Sequence, residues 1–202
     1  MERRMTVTDF EMRTASSGKR TVTGYAVLFN ELSVPLPSKY GTFREQVAPG
    51  AFRGVVNSDV RALWNHEPSF VMGRTANGTL RLREDSRGLR FEIDPPDNPL
   101  IASFMANIER GDVNQMSFAF SVDRDGQVWD RSSTPHIRTI TKVSQLSDVS
   151  PVTYPAYPNT GAALREFLGD DPLQNDPPAT RTQAELQQYM NLRLIAAYER
   201  YF

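Results

Sequence analysis

The middle of the chain carries the pattern of short β-strands joined by tight turns, and this pattern limits the fold more than any other feature. Residues 79–85, TLRLRED, alternate leucine with arginine, which is typical of a strand with one buried face. The Asn77-Gly78 pair before them predicts a type I′ turn, because both central positions of that turn need φ > 0. Apolar residues recur at period two in 89–93, which extends the predicted hairpin to a meander.

Further strands are predicted where β-branched, aromatic and alternating apolar residues concentrate. These predicted strands cover residues 21–29, 59–65, 114–122, 137–143 and 149–154. In 114–122, NQMSFAFSV, the large side chains fall on one face and Ser117 on the other. The fold class predicted from these runs is mainly β with helices.

One helix interrupts the strands after Asn98, which can cap its first turn. Pro99 suits the first helical position, and Gly111 can end the helix. Its apolar residues recur at helical spacing and are expected to pack on a sheet: Leu100, Ile101, Phe104, Met105 and Ile108.

The 202 residues are 39% hydrophobic, which suffices for one domain with a sizeable core. Composition changes near residue 169, where GDDPLQNDPPATR is rich in proline and acids. We therefore predict a domain over 1–168, a linker over 169–181 and a C-terminal helix over 182–202, which opens with a capping box. The apolar stripe of that helix is expected to need a partner.

Charge and residue content exclude several classes of function. Lys and Arg number 23 against 24 Asp and Glu, a formal net charge of −1, so neither nucleic acid nor an anionic membrane is an expected partner. The absence of cysteine excludes disulfides and thiolate metal sites, and two histidines cannot form a three-histidine zinc site. No apolar run approaches ~18 residues and the start lacks a signal-peptide core, so the chain is expected to be soluble and intracellular.

The two histidines are His66 and His136. His136 follows the turn-forming cluster RSSTP, which favours an exposed loop residue without a catalytic role. His66 follows the apolar run ALWN, at the end of a predicted strand. A histidine there is either a hydrogen-bonded structural residue or a side chain presented to a cleft.

Ser117 is a candidate nucleophile within the MSFAF motif. The small side chains on its face are expected to leave open space above the strand, where a substrate carbonyl could approach. Its alternative is a small residue on a crowded sheet. A serine nucleophile needs a base, and His66 and His136 are the imidazoles that this chain offers.

Asp148 is the candidate for a carboxylate that orients the base. It precedes an apolar strand, where a buried charge is costly unless a group such as an imidazole N–H pairs with it. Its alternative is a strand cap or turn residue. Asp112 and Glu67 are weaker rivals, since Asp112 falls in the turn after the helix and Glu67 adjoins His66.

Six segments, in order over about residues 20–165, resemble the tailed-phage prohead (capsid maturation) proteases, which are related in fold to the herpesvirus assemblins. They are GYAVLFNELS, FREQVAPGAF, LWNHE, GRTANGTLRLREDSRGLRFEIDPP, RGDVNQMSFAFSV and LSDVSPVTYPAYPNT. The resemblance implies a compact herpesvirus-protease-like β-barrel flanked by helices and a serine peptidase mechanism. It carries the nucleophile to Ser117, the base to His66 and the third member to Asp148, where relatives often have glutamate.

The same resemblance implies a serine endopeptidase that cleaves scaffold or major capsid protein precursors without a cofactor, inside the assembling prohead in the host cytoplasm. Backbone N–H groups are expected to stabilise the oxyanion, and the oligomeric state is left open. One alternative is a catalytically silent shell or scaffold component with the same fold. A carboxylate-bound metal hydrolase is the other, which the scarcity of acids around His66 disfavours.

Overall fold

The computed structural model describes residues 1–7, 11–14, 18, 20–38 and 41–153. Within these residues the protein is mainly β, as predicted, with thirteen strands and one α-helix, α1 (Pro99–Glu109). The strands are β1 (Glu2–Val7), β2 (Glu11–Thr14), β3 (Arg20–Leu28), β4 (Leu36–Ser38), β5 (Gly41–Val47), β6 (Arg61–Trp64), β7 (Glu67–Arg74), β8 (Leu80–Glu84), β9 (Gly88–Ile93), β10 (Gln115–Ser121), β11 (Gln127–Asp130), β12 (His136–Ile140) and β13 (Gln145–Val152). The predicted linker and C-terminal helix lie outside the described residues.

The described chain divides into two compact units, and the first contains residues 1–31, 47–127 and 140–153. One of its sheets has the order β1-β10-β13-β6-β7, in which β13 and β6 are parallel and the other neighbours antiparallel. Its second sheet is antiparallel with the order β2-β3-β9-β8. Among the described strands no sheet closes on itself as a barrel.

The core of the first unit follows the predicted period-two patterns. Leu89, Phe91 and Ile93 of β9 are fully buried, whereas Arg90 and Glu92 between them are partly exposed. The large side chains of β10 are buried as well, and Phe118 stacks on Phe120 at a ring distance of 4.8 Å. Alternation therefore identified the core face of β9, whereas both faces of β10 are buried from Met116 to Phe120.

Helix α1 begins as its sequence predicts. The Asn98 side-chain oxygen accepts a hydrogen bond from the Ile101 backbone N–H at 2.9 Å, and Pro99 occupies the first turn. Gly111 has φ +79°, which suits the left-handed residue after a helix. Leu100, predicted on the packed face, is instead 50% exposed, because the buried stripe of Ile101, Met105 and Ile108 is offset from it by one residue.

The predicted hairpin around Asn77-Gly78 is wrong, because β7 and β8 belong to different sheets, and its type I′ turn is wrong as well. Asn77 ends a 3₁₀ turn, Thr75–Asn77, and Gly78 alone has a left-handed φ, of +70°. The Thr75 hydroxyl explains the longer connection, because it accepts from the Val60 N–H at 2.9 Å and lies 2.6 Å from the Ser58 carbonyl oxygen. Contacts of Thr75 with residues 58 and 60 thus hold the connection between the two sheets.

The second unit includes residues 32–46 and 128–139, and its four-stranded sheet has the order β11-β12-β5-β4. Arg138 donates to Glu45 at 2.7 Å, and both side chains are almost fully buried. In the same unit the Phe43 and Trp129 rings lie 5.3 Å from each other. In the part of the chain that the structure describes, no helix is long and apolar enough to cross a membrane.

Candidate active site

A two-residue turn between β6 and β7 carries His66. Trp64 and Glu67 pair across this hairpin, and Asn65 and His66 between them have φ of +54° and +59°. Both central residues of a type I′ turn have φ > 0, and asparagine and histidine are among the non-glycine residues that accept this conformation most often. His66 therefore lies in the turn itself and not within β6 or β7.

The end of β13 anchors the same turn through Asn65. The Asn65 backbone N–H donates to the Pro151 carbonyl at 2.9 Å, and its side-chain oxygen accepts from the Thr153 N–H at 2.8 Å. The Asn65 side-chain amide also donates to the Thr153 hydroxyl at 3.1 Å. The histidine turn is thus tied to the strand that carries Asp148.

The pairing of β10 with β13 places Ser117 and Asp148 on one face of the sheet. Ser117 lies opposite Ser150, and Ala119 lies opposite Asp148. Because side chains directly opposite each other and at period two share a face, the serine and the carboxylate both face the histidine turn. The three candidate residues come from three separate strands or strand ends of the first unit.

The His66 ring bridges the other two side chains. His66 Nδ1 lies 2.6 Å from Asp148 Oδ1, and His66 Nε2 lies 2.6 Å from Ser117 Oγ. With a neutral ring, Nδ1–H donates to the carboxylate and the serine hydroxyl donates to Nε2. This arrangement can remove a proton from a serine hydroxyl and stabilise the imidazolium that results.

Ser150 is a further member of this cluster, and the sequence did not single it out. Its hydroxyl donates to Asp148 Oδ1 at 2.5 Å, and its side chain is fully buried. Asp148 Oδ1 therefore accepts from both Ser150 and His66. The available signal was its position two residues after Asp148 in a strand, which puts both side chains on one face.

The space above Ser117 is filled, contrary to the prediction of an open face. Ser117 is 2% exposed, and the side chains of His66 and Asp148 are each 8% exposed. The backbone of β1 covers the serine, because the Ser117 hydroxyl also lies 3.0 Å from the Arg4 carbonyl oxygen. The sequence contained no local signal that β1 would pair with β10.

The rival candidates lie elsewhere. His136 begins β12 in the second unit, is half-buried and donates through Nδ1 to the Ser133 carbonyl at 3.1 Å. Glu67 is exposed and accepts from the Ser69 N–H, and Asp112 pairs with Arg110 at 2.7 Å. Within the described residues, no three histidine or acidic side chains form a group that could hold a metal ion.

The sequence model of one family, the caudovirus prohead serine protease, matches residues 8–171. This match covers most of the chain and includes the candidate cluster. The protein belongs to the caudovirus prohead serine protease family. None of the curated proteins and none of the solved structures compared matches the chain.

Proposed function

We propose that this protein is a serine endopeptidase that cleaves scaffold or major capsid protein precursors during prohead maturation. The observation that carries the proposal is the position of the His66 ring. Its Nε2 lies 2.6 Å from Ser117 Oγ, and its Nδ1 lies 2.6 Å from Asp148 Oδ1. Membership in the prohead serine protease family supports the same activity. The substrate class follows from that family's place in capsid maturation.

In the proposed mechanism Ser117 Oγ attacks the scissile carbonyl while His66 Nε2 takes its proton. His66 then gives this proton to the leaving amine, and a water molecule hydrolyses the acyl-enzyme by the same route. Asp148 holds the ring through Nδ1–H and stabilises its charged form. Backbone N–H groups would stabilise the developing oxyanion, and the mechanism needs no cofactor.

The finer fold is also a proposal: a compact barrel like that of the herpesvirus assemblins, flanked by helices. Contacts between the two sheets of the first unit support it, because β1 and β10 both contact β3, and β7 contacts β8. Within such a fold the enzyme would act inside the assembling prohead in the host cytoplasm. A second copy of the chain remains a candidate partner beside the substrates.

A catalytically silent shell or scaffold component is the second candidate function. The observation that favours it is the burial of Ser117, which is 2% exposed although a nucleophile must meet its substrate. A catalytically silent component would need neither a histidine aligned with Ser117 nor a buried carboxylate beside that histidine. The short distances around His66 therefore favour the peptidase over this alternative.

Co-expression with the capsid precursor, followed by mass measurement of both chains, tests the peptidase. Because nucleophile and base act as one unit, Ser117→Ala and His66→Ala should each reduce cleavage by about 10⁴ or more, and the double change should add little. The matched control is His136→Ala, which should stay within a few fold of the unmodified protein. Additive losses, or a collapse with His136→Ala, would contradict the assignment, and no cleavage by the unmodified chain would favour the silent component.

A further inference from the structure

Strand β1 lies where an extended substrate would have to bind. It is the edge strand of its sheet and pairs antiparallel with β10, the strand that carries Ser117. Met5 lies directly opposite Ser117 in this pairing. Adding a peptide strand to an exposed sheet edge is a common mode of peptide recognition, and without β1 that edge belongs to β10.

The Arg4 carbonyl occupies the immediate neighbourhood of the hydroxyl. Its oxygen lies 3.0 Å from Ser117 Oγ, whereas a substrate carbonyl must come within about 3–3.5 Å of the same atom for attack. A substrate strand that pairs with β10 would need the place that the Arg4 peptide group now takes. The single proton of the hydroxyl also has two acceptors, since it can be donated to Arg4 or to His66 but not fully to both.

We infer that β1 is an internal occupant of the peptide-binding edge of β10, and that it blocks Ser117 until an extended peptide segment takes its place. The ligand class is a peptide in β conformation, held by main-chain hydrogen bonds to β10 in the antiparallel direction of β1. This inference rests on the proposed peptidase function. It also explains why the nucleophile is buried in a chain whose base and carboxylate are aligned.

The family match spans residues 8–171, which include β10 and the three candidate residues. The pairing of β10 with β13, which sets Ser117 beside Asp148, involves no residue of β1.

An engineered disulfide tests the exchange in the full chain, because the protein has no cysteine of its own. Two cross-strand pairs flank the Ser117 position, each two residues from it along β10: Arg3 with Ala119, and Val7 with Gln115. Replacing either pair by cysteines would lock β1 on β10 when oxidised, since directly opposite residues approach the spacing that a disulfide needs. The matched control joins Arg83 to Arg90 across β8 and β9.

Two measurements are made on each purified variant, oxidised and reduced: cleavage of the purified capsid precursor, and the rate at which an alkyl fluorophosphonate labels Ser117. Oxidation of either lock should slow both by at least about 100-fold, and reductant should restore them, because the reduced form of the same variant is the baseline. The control disulfide should change neither by more than about twofold. Using two locks keeps the test valid if one cysteine pair disturbs the site.

Equal rates for the oxidised and reduced locks, with the disulfide verified by mass, would overturn the inference while leaving the peptidase function in place. Cleavage of the unmodified chain within β1 would also overturn it, because β1 would then be a substrate and not a blocking strand. Inactivity of the unmodified protein and of every reduced variant, with Ser117 unlabelled, would overturn the proposed peptidase function and the blocking role with it.

Discussion

Among the single residues, Asp148 provides the carboxylate that would orient the proposed catalytic base, His66. It is 6% exposed, and its Oδ1 atom accepts from both the His66 ring and the Ser150 hydroxyl. A buried carboxylate is costly unless donors surround it, and here the donors also orient it. The aspartate reaches the ring at 2.6 Å although it is one methylene shorter than glutamate.

Replacing Asp148 by asparagine tests whether this residue serves the reaction or the stability of the fold. The two side chains are nearly isosteric, so thermal unfolding should change little, yet cleavage should slow by roughly 10² to 10⁴ because the ring is held in the wrong tautomer and its charged form is less stabilised. Precursor cleavage and the melting temperature are measured together, with Asp112→Asn as the exposed control. Normal turnover with a lowered melting temperature would show that Asp148 is a structural cap.

Ser150 is expected to act through Asp148 as a positioning residue. A hydrogen bond to a charged group is worth about 1.5–3 kcal/mol, so Ser150→Ala should lower kcat by roughly tenfold or more. KM should change little, because the Ser150 hydroxyl contacts Asp148 Oδ1 and not the substrate. Ser38→Ala, which removes another buried hydroxyl, should leave both kcat and KM unchanged. A loss of stability with an unchanged kcat would mean that Ser150 only packs.

Among the secondary-structure elements, the β6–β7 hairpin and helix α1 pack against each other through aromatic rings. Trp64, the last residue of β6, stacks on Phe104 of α1 at a ring distance of 4.4 Å and an interplanar angle of 4°. Phe70 of β7 meets Phe104 edge-on at 5.5 Å. Such aromatic pairs add about 0.5–1.5 kcal/mol each beyond the area they bury. They therefore fix the strand end from which His66 projects.

The connection between β11 and β12 depends on the Asp130 carboxylate. It accepts from the hydroxyls of Ser132 and Ser133 and from the Ser132 N–H, and these bonds lower the pKa of Asp130 to about 2. A carboxyl group whose pKa is lowered by folding contributes stability above its unfolded pKa, about 3.9. That contribution is lost as the pH falls through the folded value.

The pH dependence of unfolding should therefore distinguish Asp130→Asn from the unmodified protein. The unmodified protein should be the more stable at pH 5, and the difference should disappear as the pH falls from about 4 to about 2. Denaturant unfolding is followed by the fluorescence of Trp129, with Trp64 replaced by Phe in both proteins. A difference that persists unchanged to pH 2 would show that the serine bonds do not require the ionised form.

At the scale of the whole molecule, the proposed site belongs entirely to the first unit. Every residue that contacts the His66 ring in the proposed cluster comes from β10 or β13, and the covering strand β1 belongs to the same unit. The second unit has its own buried ion pair between Arg138 and Glu45. The predicted domain organisation beyond residue 153 remains a prediction, because the linker and final helix lie outside the described residues.

A chain that ends near Leu168 tests that organisation. We expect it to fold and to cleave peptide, because the candidate site lies before residue 153 and the family match ends at residue 171. We also expect poorer recruitment into proheads, because the apolar stripe of 182–202 suits a helix that binds in a partner's groove. Thermal unfolding, peptide cleavage and prohead incorporation of both chains are compared. Unfolding of the shorter chain would place the domain boundary after 168.

Elements whose signals are local could be predicted from the order of the amino acids. The cap at Asn98 and the alternation in 88–93 predict α1 and β9, because capping and period-two burial depend on residues close in the chain. The scarcity of histidine limited the candidate base to His66 or His136, and local context with the family resemblance pointed to Ser117 and Asp148. The structure brings Ser117, His66 and Asp148 together. Local patterns could name these residues without showing their distances.

Which strands are neighbours depends on pairing between distant parts of the chain, and local sequence patterns do not specify that pairing. Two successive residues with positive φ occur at Asn65-His66 and not at Asn77-Gly78, because β6 pairs with β7 whereas β7 and β8 belong to different sheets. Ser150 meets Asp148 and β1 covers Ser117 through pairings between strands far apart in the chain. A period-two pattern reports that a face is buried but not what buries it, since any strand with a free edge can pair there.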